Sequence, residues 1–175
     1  MRSHRINNNY SFKFDFMLTR IMTALLIMIS LGSCFKDPKP AKCNYDPCAY
    51  KAPDSEVQSV ENYLASKGIT NAVKHCSGMY YVIENSGTGV QPNACSSVTV
   101  HYKGSLTNGT VFDERDYQFS LSQVIPGWSD GVPLIKKGGK IHLYIPPSLG
   151  YGSQPNGPIP ANSILIFEIT LYDVQ

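Results

Sequence analysis

Apolar and polar residues alternate along 97–106. Val98, Val100 and Tyr102 fall on one side of an extended chain, and Thr99, His101 and Lys103 fall on the other. A period of two marks a strand with one buried face. Runs at 79–84, 111–113, 117–121, 140–145 and 163–174 are also rich in aromatic or β-branched residues and are predicted to be strands. Asn108-Gly109 supplies a hairpin turn. Twice the pattern becomes helical. After Pro53-Asp54-Ser55, the apolar Val57, Val60 and Leu64 recur at steps of three and four, bordered by Tyr63. Asp54 or Ser55 is expected as N-cap, with Glu56 near the positive helix end and Gly68 suited to the exit. Two uses are open to this helix, packing on its own domain or pairing with a second copy; its shortness favours the first. The second helical stretch, 126–135, carries Trp128, Val132 and Ile135, and Pro133 limits it to barely two turns. One antiparallel sheet and one short covering helix make an α+β layer architecture, with a helical extension before it.

Composition agrees. Fourteen Gly, twelve Pro, eleven Tyr and seven Phe in 175 residues suit a β-rich domain with tight turns. Charged residues are 16% of the chain, against a usual value of about 25%, which excludes a charged disordered tail. The net charge of +2 is uneven. Arg2, Arg5, Lys13 and Arg20 outweigh Asp15 in residues 1–33, and the rest is close to neutral. No basic stripe remains there, so a nucleic-acid partner is not expected.

The first segment reads as an address. Residues 21–31 are apolar and follow Arg20. The run is too short for a membrane-spanning helix, which needs about 20 residues, and fits a signal-peptide apolar region of about 7–15. Leu31-Gly32-Ser33-Cys34 resembles the lipobox of bacterial lipoproteins. That resemblance implies a signal peptide over 1–33, lipidation of Cys34 and anchoring of the mature chain to the inner or outer membrane, outside the cytoplasm. An ordinary signal peptide with a chance cysteine is the alternative. Met17 to Cys34 is itself a compact signal of this type, so 1–16 is either a leader or a misassigned start.

Residues 34–53 then form a Pro- and Lys-containing tether with a cysteine pair, and 54–77 the helical extension. With Cys34 lipidated, Cys43, Cys48, Cys76 and Cys95 remain, an even number in an exported chain. Disulfides are expected, with three pairings open. Zinc is the competing use, because His75 adjoins Cys76, but the spacing fits no common zinc pattern.

The segment 78–175 carries the chemistry. Val100-His101-Tyr102-Lys103-Gly104, Asn108-Gly109-Thr110-Val111-Phe112-Asp113, Gln123-Val124-Ile125-Pro126-Gly127-Trp128, Gly150-Tyr151-Gly152 and Ile159-Pro160-Ala161-Asn162-Ser163-Ile164-Leu165-Ile166-Phe167-Glu168 occur in that order. This part of the chain resembles the FK506-binding-protein (FKBP) family of peptidyl-prolyl cis-trans isomerases. The whole resembles a bacterial lipoprotein of that family. The resemblance implies an FKBP-like antiparallel sheet wrapped on one short helix, rotation about X-Pro bonds as the reaction, and no cofactor or metal. Prolyl polypeptides, and FK506-like macrolides as further ligands, are the implied partners, with a monomer favoured over a dimer.

The residues support the same site on chemical grounds. Rotation about an amide faces a barrier of about 18–20 kcal/mol and breaks no bond between heavy atoms. It needs neither nucleophile nor strong base, and no G-x-S-x-G, H-E-x-x-H or P-loop signature is present. A dry aromatic pocket would disfavour the polar planar amide relative to the twisted one. Carried over residue by residue, the resemblance implies Trp128 as the floor and Tyr102, Phe112 and Phe167 as walls. Val124 and Ile125 form the rim, with the Ile125 N–H as a donor to a ligand carbonyl. Tyr151 is the flap hydroxyl, Asp113 the carboxylate at the edge, Ile159 a flap residue and Tyr117 the counterpart of a pocket Phe. Two departures stand out. The stretch Asp113-Glu114-Arg115-Asp116-Tyr117 is shorter than the usual loop, leaving the register of Arg115 and Tyr117 open. The flap is about one residue short and has Pro158 where a branched apolar residue is usual. An isomerase for exported proteins is the leading reading. A prolyl-binding chaperone with little catalysis, or a purely structural envelope lipoprotein, are the alternatives.

Overall fold

The computed structural model describes residues 42–175. The expected signal peptide, Cys34 and the first part of the expected tether lie outside the described residues. Helix α1 spans Asp54–Ser66, and six strands follow: β1 (Val73–Lys74), β2 (Tyr80–Asn85), β3 (Ser97–Leu106), β4 (Val111–Ser120), β5 (Lys140–Ile145) and β6 (Leu165–Val174). Helix α2 (Pro126–Gly131) lies between β4 and β5. All neighbouring strands are antiparallel, in the order β1-β2-β5-β6-β3-β4.

The alternation expected in β3 is present: Val98, Val100 and Tyr102 are buried. Leu165, Phe167, Ile169 and Leu171 of β6 and Ile141, Leu143 and Ile145 of β5 join them. Helix α2 closes this inner face. Its glycines permit the approach: a Cβ on Gly127 would lie 2.6 Å from Ile145, and one on Gly131 would lie 2.6 Å from Leu143. The opposite face is covered at one end by α1, whose Val60 and Leu64 pack against Tyr144, Tyr80, Val82 and Ile166. The apolar stripe of α1 is thus used by its own sheet.

Two expectations change in detail, the others hold, and one short strand is added. Asp54 and Ser55 are helical residues and not the cap; the Pro53 carbonyl accepts the Glu56 and Val57 N–H groups at 2.9 and 3.1 Å, so Pro53 holds the N-cap position without a side-chain bond. The exit is as expected. Gly68, at φ +67, donates to Ala65 O and Ile69 donates to Leu64 O, the paired bonds of a Schellman ending. The two short runs at 111–113 and 117–121 are one strand, β4, because Asp113 to Asp116 pair residue for residue with Gly104 to His101. In the second helix, Pro133 has no N–H to donate, and the chain tightens into a 3₁₀ turn over Val132–Leu134 after only six α-helical residues. The two-residue edge strand β1 was not expected.

All four remaining cysteines are paired, Cys43 with Cys95 and Cys48 with Cys76. Their sulfurs are therefore not free to take zinc. The first bridge ties the extension to the residues leading into β3.

Candidate active site

A cavity of about 690 Å³ opens beside β3, β4, α2 and the loop that follows β5, within the range of about 300–1,000 Å³ usual for ligand sites. It brings together all ten residues that the sequence singled out for the site: Tyr102, Phe112, Asp113, Tyr117, Val124, Ile125, Trp128, Tyr151, Ile159 and Phe167.

Trp128 lies at the centre. It is the first inward side chain of α2 and 5% exposed. The rings of Tyr102, Phe119 and Phe167 stand 5.0, 5.1 and 5.1 Å from it, and Tyr102 and Phe167 meet it edge-on. Such tilted pairs hold one another through the ring quadrupole. Phe112 meets Phe167 at 5.6 Å and 83°. Gly104 makes room for that contact. It pairs with Phe167 across the sheet, and a Cβ there would lie 2.6 Å from Phe112 Cζ and 2.8 Å from Phe167 Cε1. The Trp128 indole N–H is buried without a partner among the described residues.

Phe112 and Asp113 are consecutive, yet both line the cavity. Strict alternation would send one of them away. The register explains the pair: Gly104 faces Asp113 and Ser105 faces Val111, so Phe112 is the extra residue of a β-bulge and is re-aimed into the cavity. Asp113 accepts the Tyr102 hydroxyl, Arg115 Nε donates to that hydroxyl at 2.9 Å, and Arg115 Nη2 reaches Asp113 at 3.2 Å. The closed triad fixes the Tyr102 ring from its far end. Burial, and then the Asp113 hydrogen bond, raise the phenol pKa. The Arg115 guanidinium also sits 4.9 Å over the Tyr117 ring.

Tyr117 lines the cavity from its outer edge, and the ring against the floor is Phe119. Tyr117 is 51% exposed and stacks on Phe119 at 6.0 Å. Phe119, two residues on, is the ring against Trp128. Residues 113, 115, 117 and 119 share one face of β4, and reading that strand as continuous would have pointed to Phe119.

At the mouth, Pro126 begins α2 after Ile125, and no protein acceptor takes the Ile125 N–H among the described residues. The flap is a tight hairpin: Asn156 and Ile159 exchange N–H···O bonds of 2.9 and 3.0 Å around Gly157, at φ +56, and Pro158. Glycine tolerates that φ, and proline presets the next, so the tip is rigid. Tyr151 is 40% exposed at the rim, whereas Ile159 is buried.

An antiparallel sheet curled on one short helix thus carries an aromatic box, with a backbone N–H at its mouth that meets no protein acceptor among the described residues. The sequence profile of the family described as "FKBP-type peptidyl-prolyl cis-trans isomerase" matches residues 89–172. The chain is 46% identical over 122 residues to the FKBP-type peptidyl-prolyl cis-trans isomerase FkpA of Buchnera aphidicola subsp. Schizaphis graminum, covering 66% of this chain and 47% of that one. It is 37% identical over 145 residues to FkpA of Escherichia coli K12, covering 80% and 52%. A crystal structure of a peptidyl-prolyl cis-trans isomerase from Pseudomonas syringae superposes with a TM-score of 0.62 at 30% identity, covering 71% of this chain and 98% of that one. The chain belongs to the FKBP-type peptidyl-prolyl cis-trans isomerase family. It spans about half the length of the curated relatives it matches.

Proposed function

We propose that this protein is a peptidyl-prolyl cis-trans isomerase acting on exported polypeptides at the cell envelope. The observation that carries this reading is the Trp128 floor bracketed at 5.0–5.1 Å by Tyr102, Phe119 and Phe167, with the Ile125 N–H, which meets no acceptor among the described residues, at its edge. A prolyl ring seats on the indole, and the preceding carbonyl meets the Ile125 N–H. The walls withhold water from the planar, more polar amide, while the N–H and the Tyr151 hydroxyl hold the twisted one. An apolar residue before proline is favoured by Val124, Ile125 and Ile159. FK506-like macrolides, which present a ring and a carbonyl together, suit the same cavity.

A protease-coupled assay on prolyl tetrapeptides tests the reading. Isomerisation is expected to be accelerated, with a rate nearly flat from about pH 6 to 8. No histidine lines the cavity, the Tyr102 phenol is held above its ordinary range by burial, and Arg115 is held above its own by the Tyr102 hydrogen bond. A bell-shaped profile tracking a histidine would mean acid–base chemistry and overturn the mechanism. Tyr151→Phe removes one neutral hydrogen bond of about 0.5–1.5 kcal/mol, at most roughly a tenfold loss. Binding of prolyl peptides without acceleration would favour a chaperone.

The lipobox supports a membrane anchor at Cys34 on the mature chain. Cys34→Ala is expected to abolish incorporation of a fatty-acid probe in cells. Equal labelling of the variant would refute the anchor.

A further inference from the structure

Behind the aromatic box lies a second polar arrangement that the isomerase reading does not use. Asp130 follows Trp128 by two residues on α2 and points away from the cavity into the protein, 3% exposed. A carboxylate there is costly unless donors face it. Its donor comes from the N-terminal extension and not from the sheet. The Tyr45 hydroxyl donates to Asp130 Oδ1 at 2.5 Å, across 85 residues of sequence. Nearby, Ser77 is fully buried, with its Oγ 2.8 Å from His75 Nδ1. On the preceding residue of α2, Ser129 donates to Leu121 O at 2.6 Å. Tyr45 lies between Cys43 and Cys48, each in its own bridge, so the two bridges bracket the donor. A cleft of about 320 Å³ runs between this segment and the back of α2, with Tyr45, His75, Ser129 and Asp130 in its wall.

A staple that only added stability would not need a buried charge, since an apolar pair of the same size is often as good or better. A charge facing directional donors fixes position. Helix α2 has six residues and no side-chain cap; packing on β5 and the Ser129–Leu121 bond hold its inner side, and Tyr45 holds the side that faces the extension. We infer that Tyr45 and Asp130 are positioning residues for the prolyl site: the extension clasps α2 from behind and sets where the Trp128 indole lies. The inference rests on the isomerase reading, and it makes the segment around Tyr45 part of the working domain.

Trp128 is the sole tryptophan of the chain, so its emission reports on the floor alone. The test uses the full-length chain purified with its bridges intact, with Tyr45→Phe, Asp130→Asn and the double variant, well below the unfolding midpoint of each. Tyr45→Phe is expected to shift Trp128 emission and to lower kcat/KM for a prolyl tetrapeptide about tenfold, short of the roughly hundredfold that an ångström of misplacement can cost. Asp130→Asn keeps the shape and removes the charge. In that background Tyr45→Phe should cost much less, a non-additivity diagnostic of direct coupling. A Tyr45→Phe variant with parent emission and parent kcat/KM, whatever its unfolding midpoint, would leave only a structural contact and overturn the inference. Strictly additive losses would do the same. If the parent chain itself fails to accelerate isomerisation, the functional reading falls separately, and Trp128 emission still decides the clasp.

Discussion

Phe167→Ala is expected to reduce kcat/KM for X-Pro isomerisation on the order of a hundredfold per folded molecule, about 2.7 kcal/mol in the barrier. Phe167 is the ring shared by the whole box, 5.1 Å from Trp128, 5.6 Å from Phe112 and 6.3 Å from Tyr102. Of its two neighbours across the sheet, Leu143 and Gly104, the one on the Phe112 side is Gly104, which has no side chain to fill the gap. Truncation therefore joins the cavity to a new void and admits water where the planar amide should be left dry. The same change costs fold stability, about 3–5 kcal/mol for a buried Phe→Ala, so a loss of activity alone would be ambiguous. Leu171→Ala separates the two effects. Leu171 lies on the same strand, is fully buried and does not line the cavity. Its truncation costs about 2–5 kcal/mol but leaves the box intact. Unfolding curves and steady-state assays on both variants should show similar destabilisation and very different activity. Equal loss per folded molecule in the two would refute the role given to the ring.

The sequence made much of this legible because β3 writes its inner face as an alternation, because the other inner strands are rich in aromatic and β-branched residues, and because the box residues lie in motifs of a fixed order. What it concealed has physical causes. β4 is an edge strand paired on one side only, and Asp113 to Asp116 are polar on both faces, so neither periodicity nor composition marked it as continuous. Phe119 was missed with it. The bulge at Phe112 depends on the register between two strands, which no local window contains. The N-cap was misplaced because a proline carbonyl can begin a helix without any capping side chain. The Tyr45–Asp130 contact joins residues 85 positions apart. A lone Asp after a Trp on a short helix reads as a surface charge until the extension is seen lying over it.

The same extension carries the second large effect. Opening both bridges with a phosphine reductant is expected to lower the unfolding midpoint by well over 10 °C. Cys48–Cys76 closes a loop with a separation of 28 residues and Cys43–Cys95 one of 52. Chain entropy assigns loops of this size roughly 3–4 kcal/mol each. The first loop is nested inside the second, so once one bridge is closed the other constrains fewer free residues, and the pair contributes less than the two separate values together. At roughly 3 °C or more per kcal/mol for a domain of this size, either bridge alone is worth a readily measured shift. The outer bridge should matter more for the join between extension and sheet, because Cys95 stands just before β3 whereas Cys48 and Cys76 both precede β2. Removing Cys43 and Cys95 together should therefore make the segment around Tyr45 susceptible to proteolysis while the strands stay protected. Removing Cys48 and Cys76 should lower the midpoint with less effect on that segment. Thermal unfolding and limited proteolysis of the oxidised protein, the reduced protein and the two paired variants check both expectations. A midpoint unmoved by full reduction, or four freely alkylated thiols in protein isolated under oxidising conditions, would remove the bridges from the account of how this domain is held.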